Sequence, residues 1–198
     1  MNRLAMLIAT VLVTGAAQAA PETYTIDNSH TYPQFTYTHL GFSKQTQKFD
    51  KTSGTVTLDR AAKTGAVDVV IDATSVNTGF ALFNQHIQEP DYFDTAKYPT
   101  ITFKSSKMTF NGDEPASLTG DLTIKGVTKP VTLSVTRFKC SPISGLKGDT
   151  CVANANVTIK RSEFNMGKYR FLAGNDVALN LVIGAVKSST SIQVASRQ

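Results

Sequence analysis

The sequence predicts an all-β fold of about eight antiparallel strands with one short helical insertion. Apolar and polar residues alternate with a period of two in one segment after another, which is typical of half-buried strands. Threonine, valine, phenylalanine and tyrosine favour strands over helices, and turn residues separate the alternating segments. No linker rich in glycine, serine or proline divides the 198 residues. We therefore expect a single domain with its own core.

The N-terminus has the pattern of a secretory signal. Residues 2–3 form a short basic segment, residues 4–13 an apolar run and residues 17–19 a small-residue cleavage site. The apolar run is too short for a membrane span. We expect cleavage after Ala19 and export, most simply to a bacterial periplasm. The predicted divisions are a signal peptide at 1–19, one domain at 20–187 and a polar, flexible tail at 188–198.

The first strand is predicted at 31–40. Phe35, Tyr37 and His39 occupy alternate positions there, with polar residues between them. This spacing predicts that the three side chains point inward and that a turn at 39–41 ends the strand. The second and third strands are predicted at 54–59 and 66–72, with a turn between them.

A helical segment is predicted after the third strand. Hydroxyl side chains suited to capping begin it, and the apolar spacing up to Ile87 is closer to that of a helix than of a strand. We expect one or two short helices that end before Pro90. Phe80, Phe83 and Ile87 are predicted to share one helical face and to pack onto the sheet.

The second half of the chain continues as strands. Asn111–Gly112 is a strong hairpin signal, and Gly126 with Pro130 marks a second reversal. The predicted strands lie at 100–105, 107–110, 116–125, 131–140, 152–161 and 177–186. A sheet of this size can close into a barrel, which either fills with side chains or holds one ligand. Composition leaves both interiors open.

The segment 120–133, GDLTIKGVTKPVTL, resembles the signature hairpin of the YceI-like, polyisoprenoid-binding proteins. Further landmarks of that family follow in family order over nearly the whole mature chain. They are Tyr24–Asp27, His30, Phe35, His39, Ile71–Asp72, Ser75–Thr78, His86, Phe93, Tyr98–Phe103 and Arg161–Phe164. The resemblance implies an extended lipocalin-like antiparallel β-barrel with an elongated apolar cavity.

The same resemblance implies that the cavity holds a long isoprenoid chain, such as a polyprenyl phosphate or an isoprenoid quinone. An aromatic-lined tunnel would bury such a tail without catalysis, at about 0.8 kcal/mol for each methylene-sized unit. The predicted ligand-binding residues are Phe35, Tyr37, His39, His86, Phe93, Phe103, Leu133, Arg161, Phe164 and Met166. Two segments, 84–87 and 164–166, depart from the family pattern, and both are assigned to the cavity mouth.

Arg161 has two predicted roles, an ion pair with a carboxylate or a contact to an anionic or carbonyl head group. His39 and His86 are predicted at the cavity rim, where imidazole can hydrogen-bond a head group. The three histidines lack the spacing of a ligand pair, so we expect no metal site. The acidic side chains at 89–94 fit a solvated turn better than acid–base catalysis.

Cys140 and Cys151 are the only cysteines, and in an exported protein they predict a disulfide that closes a loop between two strands. No phosphate-binding or dinucleotide motif is present, so no cofactor is expected. The 20 basic and 15 acidic residues are scattered rather than clustered, which argues against a nucleic-acid partner.

The predicted function is that of a periplasmic lipid-binding protein, a carrier or reservoir for an isoprenoid lipid or quinone. One alternative is an enzyme that modifies a bound isoprenoid or quinone, using His39 or His86 with an acid from 91–94. Another is a ligand-free interaction or stress protein with a filled barrel. A transient membrane contact and a homodimer stay open as further partners.

Overall fold

A computed structural model describes residues 20–142 and 149–188. The strands are β1 (Glu22–Ile26), β2 (Tyr32–His39), β3 (Ser43–Phe49), β4 (Thr52–Asp59), β5 (Thr64–Asp72), β6 (Val76–Asn77), β7 (Thr100–Asn111), β8 (Glu114–Ile124), β9 (Val127–Pro142), β10 (Asp149–Lys160) and β11 (Ala173–Lys187). The same residues also contain one α-helix, α1 (Ala81–His86), and three 3-10 turns. The all-β prediction is confirmed. The predicted signal peptide and nearly all of the predicted tail lie outside the described residues.

Eight strands form a closed antiparallel barrel in the order β1, β4, β5, β7, β8, β9, β10, β11, and β11 pairs back onto β1. The long strand β11 has two partners on the same edge. Its C-terminal end pairs with β1, where Ala185 lies opposite Ile26, and its N-terminal half pairs with β2, from Ala173 opposite His39 to Val182 opposite Tyr32. Strands β3 and β6 continue from β2. The predicted extended barrel is therefore confirmed.

Three strands were not predicted, and one of them, β6, has only two residues. β1 has only five residues, and β3 reads SKQTQKF, in which Gln47 is one of the two buried side chains and Phe49 the other. A strand whose inward positions include a polar residue shows no apolar alternation. The predicted strands at 100–105 and 107–110 are a single strand, β7, with a register shift between Lys104 and Lys107.

The helical insertion was predicted correctly in place but not in detail. It contains a 3-10 turn at Ala73–Ser75 and the short helix α1, which ends before Pro90 as expected. The prediction for Phe80 is wrong, because its side chain is 61% exposed. Phe80 is the N-cap residue and has extended backbone angles, so it precedes the helix instead of lying on its inner face.

The interior has one large apolar cluster along the barrel and a smaller one at one end. The smaller cluster consists of Tyr24, Leu58, Cys151 and Ala185. Cys151 is directly opposite Cys140 across β9 and β10, and the two are joined by a disulfide. The predicted disulfide is confirmed. Together with the apolar cluster, it packs this end of the barrel.

Candidate functional site

The barrel encloses an elongated cavity of about 390 Å³. Its wall comes from the inward-facing positions of successive strands, because side chains alternate between the two faces of a strand. Mid-barrel wall residues are Val69, Phe103, Leu122, Leu133, Ala155 and Leu181. These side chains are apolar, so the cavity offers a surface suited to a hydrocarbon.

An aromatic cluster forms one part of the wall. Phe35 from β2, Phe49 from β3 and Phe93 from the segment after α1 lie with ring centroids 5.5 to 5.6 Å apart. Both contacts to Phe93 are edge-to-face, the geometry that aromatic rings prefer. Tyr37 stacks beside Phe35 at 6.5 Å. This cluster joins the β2–β3 extension to the segment that follows α1.

The cavity opens at the end where α1 and the loop after Arg161 meet. Tyr169 and Leu172 line the cavity and are also exposed, which places the opening beside them. Tyr92 stacks on Tyr169 with ring centroids 6.2 Å apart. The Tyr92 hydroxyl lies 3.2 Å from Nε2 of His86. Hydroxyl and imidazole groups are thus concentrated at the opening of an otherwise apolar cavity.

Arg161 is buried beside this opening and binds four backbone carbonyl groups. Its Nε donates to Gly174 at 3.0 Å, and its Nη2 donates to Lys168 at 2.7 Å and to Ala173 at 2.6 Å. Its Nη1 donates to the carbonyl of Met166. Burial lowers the pKa of the guanidinium. Arg161 therefore shapes the loop that borders the cavity.

The predicted ion pair of Arg161 with a carboxylate is wrong. Among the described residues, the guanidinium binds backbone carbonyl oxygens instead of a carboxylate. The physical reason is that the loop turns back around the guanidinium. Asn165 adopts a left-handed conformation with φ 57° at the end of the 3-10 turn, where the chain leaves Arg161 and enters the loop that supplies the carbonyl groups. A planar group with five donors suits several acceptors held by one loop.

The acidic residues after α1 have structural partners. Asp91 accepts a hydrogen bond from Nζ of Lys168 at 2.5 Å and from the Tyr169 hydroxyl at 3.1 Å. The lysine contact is the main reason that the pKa of Asp91 is lowered. Glu89 lies 3.2 Å from Nδ1 of His86. The acid that meets His86 is thus Glu89, which lies outside the 91–94 segment considered for the enzymatic alternative.

Two tyrosines of the cavity wall resist ionisation. Burial raises the pKa of the Tyr37 hydroxyl. Burial, followed by the effect of Tyr169, raises the pKa of the Tyr92 hydroxyl. A tyrosine hydroxyl is ordinarily neutral at physiological pH, and these shifts keep it so; both hydroxyls can donate a hydrogen bond.

The structure places nine of the ten predicted ligand-binding residues on the cavity wall. They are Phe35, Tyr37, His39, His86, Phe93, Phe103, Leu133, Arg161 and Met166. Phe164 is the exception: it does not line the cavity and is only 1% exposed. It ends the 3-10 turn Arg161–Phe164, where it packs inside the core instead of on the wall. The binding roles of all ten stay predictions.

His30 lies away from this site, with Nδ1 2.7 Å from Asp27. Among the described residues, no three histidine, cysteine or acidic side chains gather closely enough to hold a metal ion. No helix within 20–142 and 149–188 combines the length and the apolar character that a membrane span requires.

Sequence reasoning missed the loop residues of the opening. Tyr92, Tyr169 and Leu172 line the cavity, yet none lies in an alternating segment. Their signal was compositional, since large apolar side chains are unusual in a solvated loop. The run Tyr169–Leu172 in particular contains three such residues and one arginine.

The chain is similar to known proteins over most of its length. The YceI-like domain model matches residues 24–185. "Protein YceI" of Escherichia coli O157:H7 is 41% identical over 125 residues, which cover 62% of this chain and 65% of that protein. The chain thus matches 65% of the length of this relative.

Solved structures share the fold. Burkholderia cenocepacia BcnA has a TM-score of 0.70 at 27% identity, and the match covers 81% of this chain and 99% of BcnA. A polyisoprenoid binding domain from Saccharophagus degradans, implicated in plant cell wall breakdown, has a TM-score of 0.62 at 21% identity, with coverage of 83% and 98%. These likenesses agree with the closed barrel described above.

Proposed function

This chain belongs to the YceI-like domain family, and from that membership we propose that it is a periplasmic, non-enzymatic protein that holds a long isoprenoid chain in its barrel cavity. The ligand class is a polyprenyl phosphate or an isoprenoid quinone. The observation that carries the proposal is the elongated cavity of about 390 Å³ with apolar walls and a polar opening. In this role the protein is a carrier or a reservoir.

The cavity walls support binding of the tail. Phe35, Phe103, Leu133 and Met166 present hydrocarbon, aromatic and thioether surfaces to the cavity. Removing each methylene-sized unit of a tail from water is worth about 0.8 kcal/mol. The thioether of Met166 adapts to the irregular shape of a branched chain. Affinity would then grow with tail length until the cavity is filled.

The opening supports an anionic or carbonyl head group. Arg161 brings a positive charge to the wall there, and His39, His86 and the Tyr92 hydroxyl line the same end. The imidazoles and the hydroxyl can donate hydrogen bonds to a phosphate or a quinone oxygen. The guanidinium adds its charge and the one N–H that its four carbonyl contacts leave free. We place the head group at this end, with the tail directed toward Leu133 and Ala155.

Binding without turnover is the role that the side chains at the opening favour. Asp91 is held by Lys168 and Tyr169, and the half-exposed pair of His86 and Glu89 resembles a surface ion pair. A catalytic His86 would predict that His86→Ala abolishes product formation while ligand still binds. A binding role predicts that wild type forms no product from a bound polyprenyl phosphate or quinone.

The first test is native mass spectrometry of the protein purified from a bacterial periplasm, followed by organic extraction. We expect an exported chain that lacks residues 1–19 and carries one isoprenoid of a defined class. Protein that is repeatedly free of isoprenoid, and that takes up neither quinones nor polyprenyl phosphates, would contradict the proposal. A filled barrel serving protein partners would then be the better account.

A further inference from the structure

Large apolar side chains are exposed almost entirely at one end of the barrel. Of the described residues in this class, only Tyr32 lies elsewhere. The others form what we call the apolar collar, which consists of Leu40, Phe42, Phe80, Leu82, Tyr169, Phe171 and Leu172. Phe42 is 83% exposed and Phe171 is 77% exposed. Side chains this exposed protrude from the surface.

The collar comes from three segments that meet around the cavity opening. The backbone N–H of Leu40, in the β2–β3 turn, donates to the carbonyl of Leu172 at 2.7 Å. Tyr169, in the same loop as Leu172, stacks on Tyr92, and the Tyr92 ring lies 4.8 Å from that of His86 at the end of α1. The turn, the loop and the helix are thus contiguous. Tyr169 and Leu172 belong to both the collar and the cavity wall.

A third set of contacts holds this end together. Nζ of Lys125, in the β8–β9 turn, donates to the carbonyl of Pro90 at 2.5 Å and to that of Asn165 at 3.0 Å. It therefore ties the segment after α1 to the loop that carries Phe171. The collar is built on a fixed framework and is not a set of unrelated loops.

Positive charges lie within the collar. Lys44 follows the β2–β3 turn, and Arg170 lies between Tyr169 and Phe171. Neither pairs with a carboxylate in the described part of the chain. Asp91, whose carboxylate contacts Lys168 and Tyr169 of this loop, is paired with Lys168, and Glu89 lies against His86. The collar therefore combines protruding apolar groups with two basic side chains, Lys44 and Arg170, that have no carboxylate partner among the described residues.

We propose that the apolar collar is a docking surface for an anionic lipid bilayer. Contiguous exposed apolar residues mark an interaction site. Protruding aromatic and aliphatic side chains flanked by lysine and arginine suit insertion at a bilayer interface, where basic groups meet anionic head groups. Docking through the collar places the cavity opening at the membrane surface. An apolar molecule could then pass between the cavity and the bilayer without crossing water.

The test measures partition of the purified full chain onto vesicles of phosphatidylcholine with and without phosphatidylglycerol, by co-sedimentation. Combined Phe42→Ser and Phe171→Ser is expected to lower the partition coefficient at least about tenfold. Tyr32→Ser is the matched control. It removes an exposed aromatic at the far end of β2, roughly 23 Å from His39, and should leave partition unchanged. Wild type and variants share one N-terminus, so residues 1–19 contribute equally to all.

A second pair of variants tests the charge. The double variant Lys44→Glu, Arg170→Glu is expected to abolish the preference for phosphatidylglycerol. Its partition coefficient onto vesicles that contain this lipid should fall about fivefold for each basic side chain lost. Thermal melts of every variant show whether it is folded.

Three results would overturn the proposal: no partition of wild type onto either vesicle, equal losses for Tyr32→Ser and the collar variant, or a wild-type dimer that the collar variant dissociates while neither form binds vesicles. The last result would assign the collar to self-association. The vesicles contain no isoprenoid, so docking can succeed or fail independently of the ligand proposed for the cavity.

Discussion

Arg161 organises the loop beside the cavity opening through hydrogen bonds to four carbonyl groups. A lysine at this position has a single nitrogen and cannot reach all four oxygens. We expect Arg161→Lys to lower the free energy of unfolding by about 2 to 4 kcal/mol, because each hydrogen bond to a charged group is worth about 1.5 kcal/mol or more. Urea unfolding measures the loss.

The matched control is Arg170→Lys, which changes the same side chain at an exposed position of the same loop. It should leave the unfolding free energy within about 0.5 kcal/mol of wild type. Hydrogen exchange should also quicken between Met166 and Gly174 in Arg161→Lys alone. Equal behaviour of the two variants would show that Arg161 does not organise this loop.

Asp91 makes the contact between the segment after α1 and the loop that carries Lys168 and Tyr169 dependent on pH. Because its pKa is lowered in the folded protein, its contact with Lys168 stabilises the fold at pH above the usual carboxyl value. That contribution is lost as pH falls through the lowered value. Since the pKa of Lys168 is raised by the same contact, the contact also persists at alkaline pH until lysine loses its proton.

We therefore expect the NMR signals of Lys168 and Tyr169 to move together as pH falls below about 4. Asp91→Asn should show the low-pH positions already at pH 7 and should no longer respond to acid. Asp176→Asn is a control, because it alters a different, exposed ion pair with Lys160. Unchanged Lys168 signals in Asp91→Asn would contradict the expected coupling.

At the scale of elements, the β8–β9 hairpin turn depends on Gly126. Lys125 and Gly126 have φ of 48° and 72°, the pair of positive values that a two-residue hairpin turn requires. A Cβ at Gly126 would lie 2.5 Å from Cε1 of Tyr98. We expect Gly126→Ala to destabilise the protein by about 1 to 3 kcal/mol, through backbone strain and displacement of the Tyr98 ring.

Gly112→Ala separates those two costs. Gly112 also has a positive φ, 59°, but a Cβ there meets nothing within 4 Å. Chemical denaturation should show a smaller loss for Gly112→Ala than for Gly126→Ala. Equal losses would assign the whole effect to backbone conformation and none to the contact with Tyr98.

The elements that the sequence predicted are those with strong alternation. Phe35, Tyr37 and His39 were placed inward because their neighbours are polar, and all three line the cavity. β3 was missed because Gln47 takes an inward position. A polar residue on the inward face breaks the apolar alternation from which strands were predicted. The bulge in β7 was read as a break between strands for a related reason: a register shift interrupts the alternation.

The opening of the cavity was the least predictable part of the site. Apart from His39 at the end of β2, its polar groups come from loops, a 3-10 turn and α1. The positions of these segments depend on long-range contacts such as that of Lys125 with Asn165. Arg161 was identified as important, yet its partners are carbonyl groups that carry no sequence signal. The cavity wall, in contrast, follows directly from the strand period.

For the whole molecule, the decisive property is that the barrel is not filled by its own side chains. Ala155 lies on the cavity wall in mid-barrel, opposite Val135 on β9 and Leu181 on β11. We expect Ala155→Leu to occupy part of the cavity and to lower uptake of a polyprenyl phosphate or quinone at least about tenfold, while the melting temperature changes little. Filling vacant apolar space avoids the cost of overpacking, which is about 1 to 3 kcal/mol in a dense core.

Ala66→Leu is the matched control, because it makes the same substitution at an exposed position on the outer face of β5. It should leave ligand uptake unaltered. Uptake and melting temperature are measured on both variants by titration and calorimetry. A marked fall in the melting temperature of Ala155→Leu, with uptake unchanged, would indicate a packed interior and a ligand site elsewhere.

The seam between β1 and β11 joins the beginning of the described chain to its end. Glu22–Ile26 cannot complete its pairing until Ala173–Lys187 is available. Ring closure is therefore a late event in folding, and the high sequence separation of the seam implies slow folding for a protein of this size. The β8–β9 hairpin, whose strands are adjacent in sequence, can form first. A ribosome or translocation pore that still holds the last strand would thus keep the barrel open.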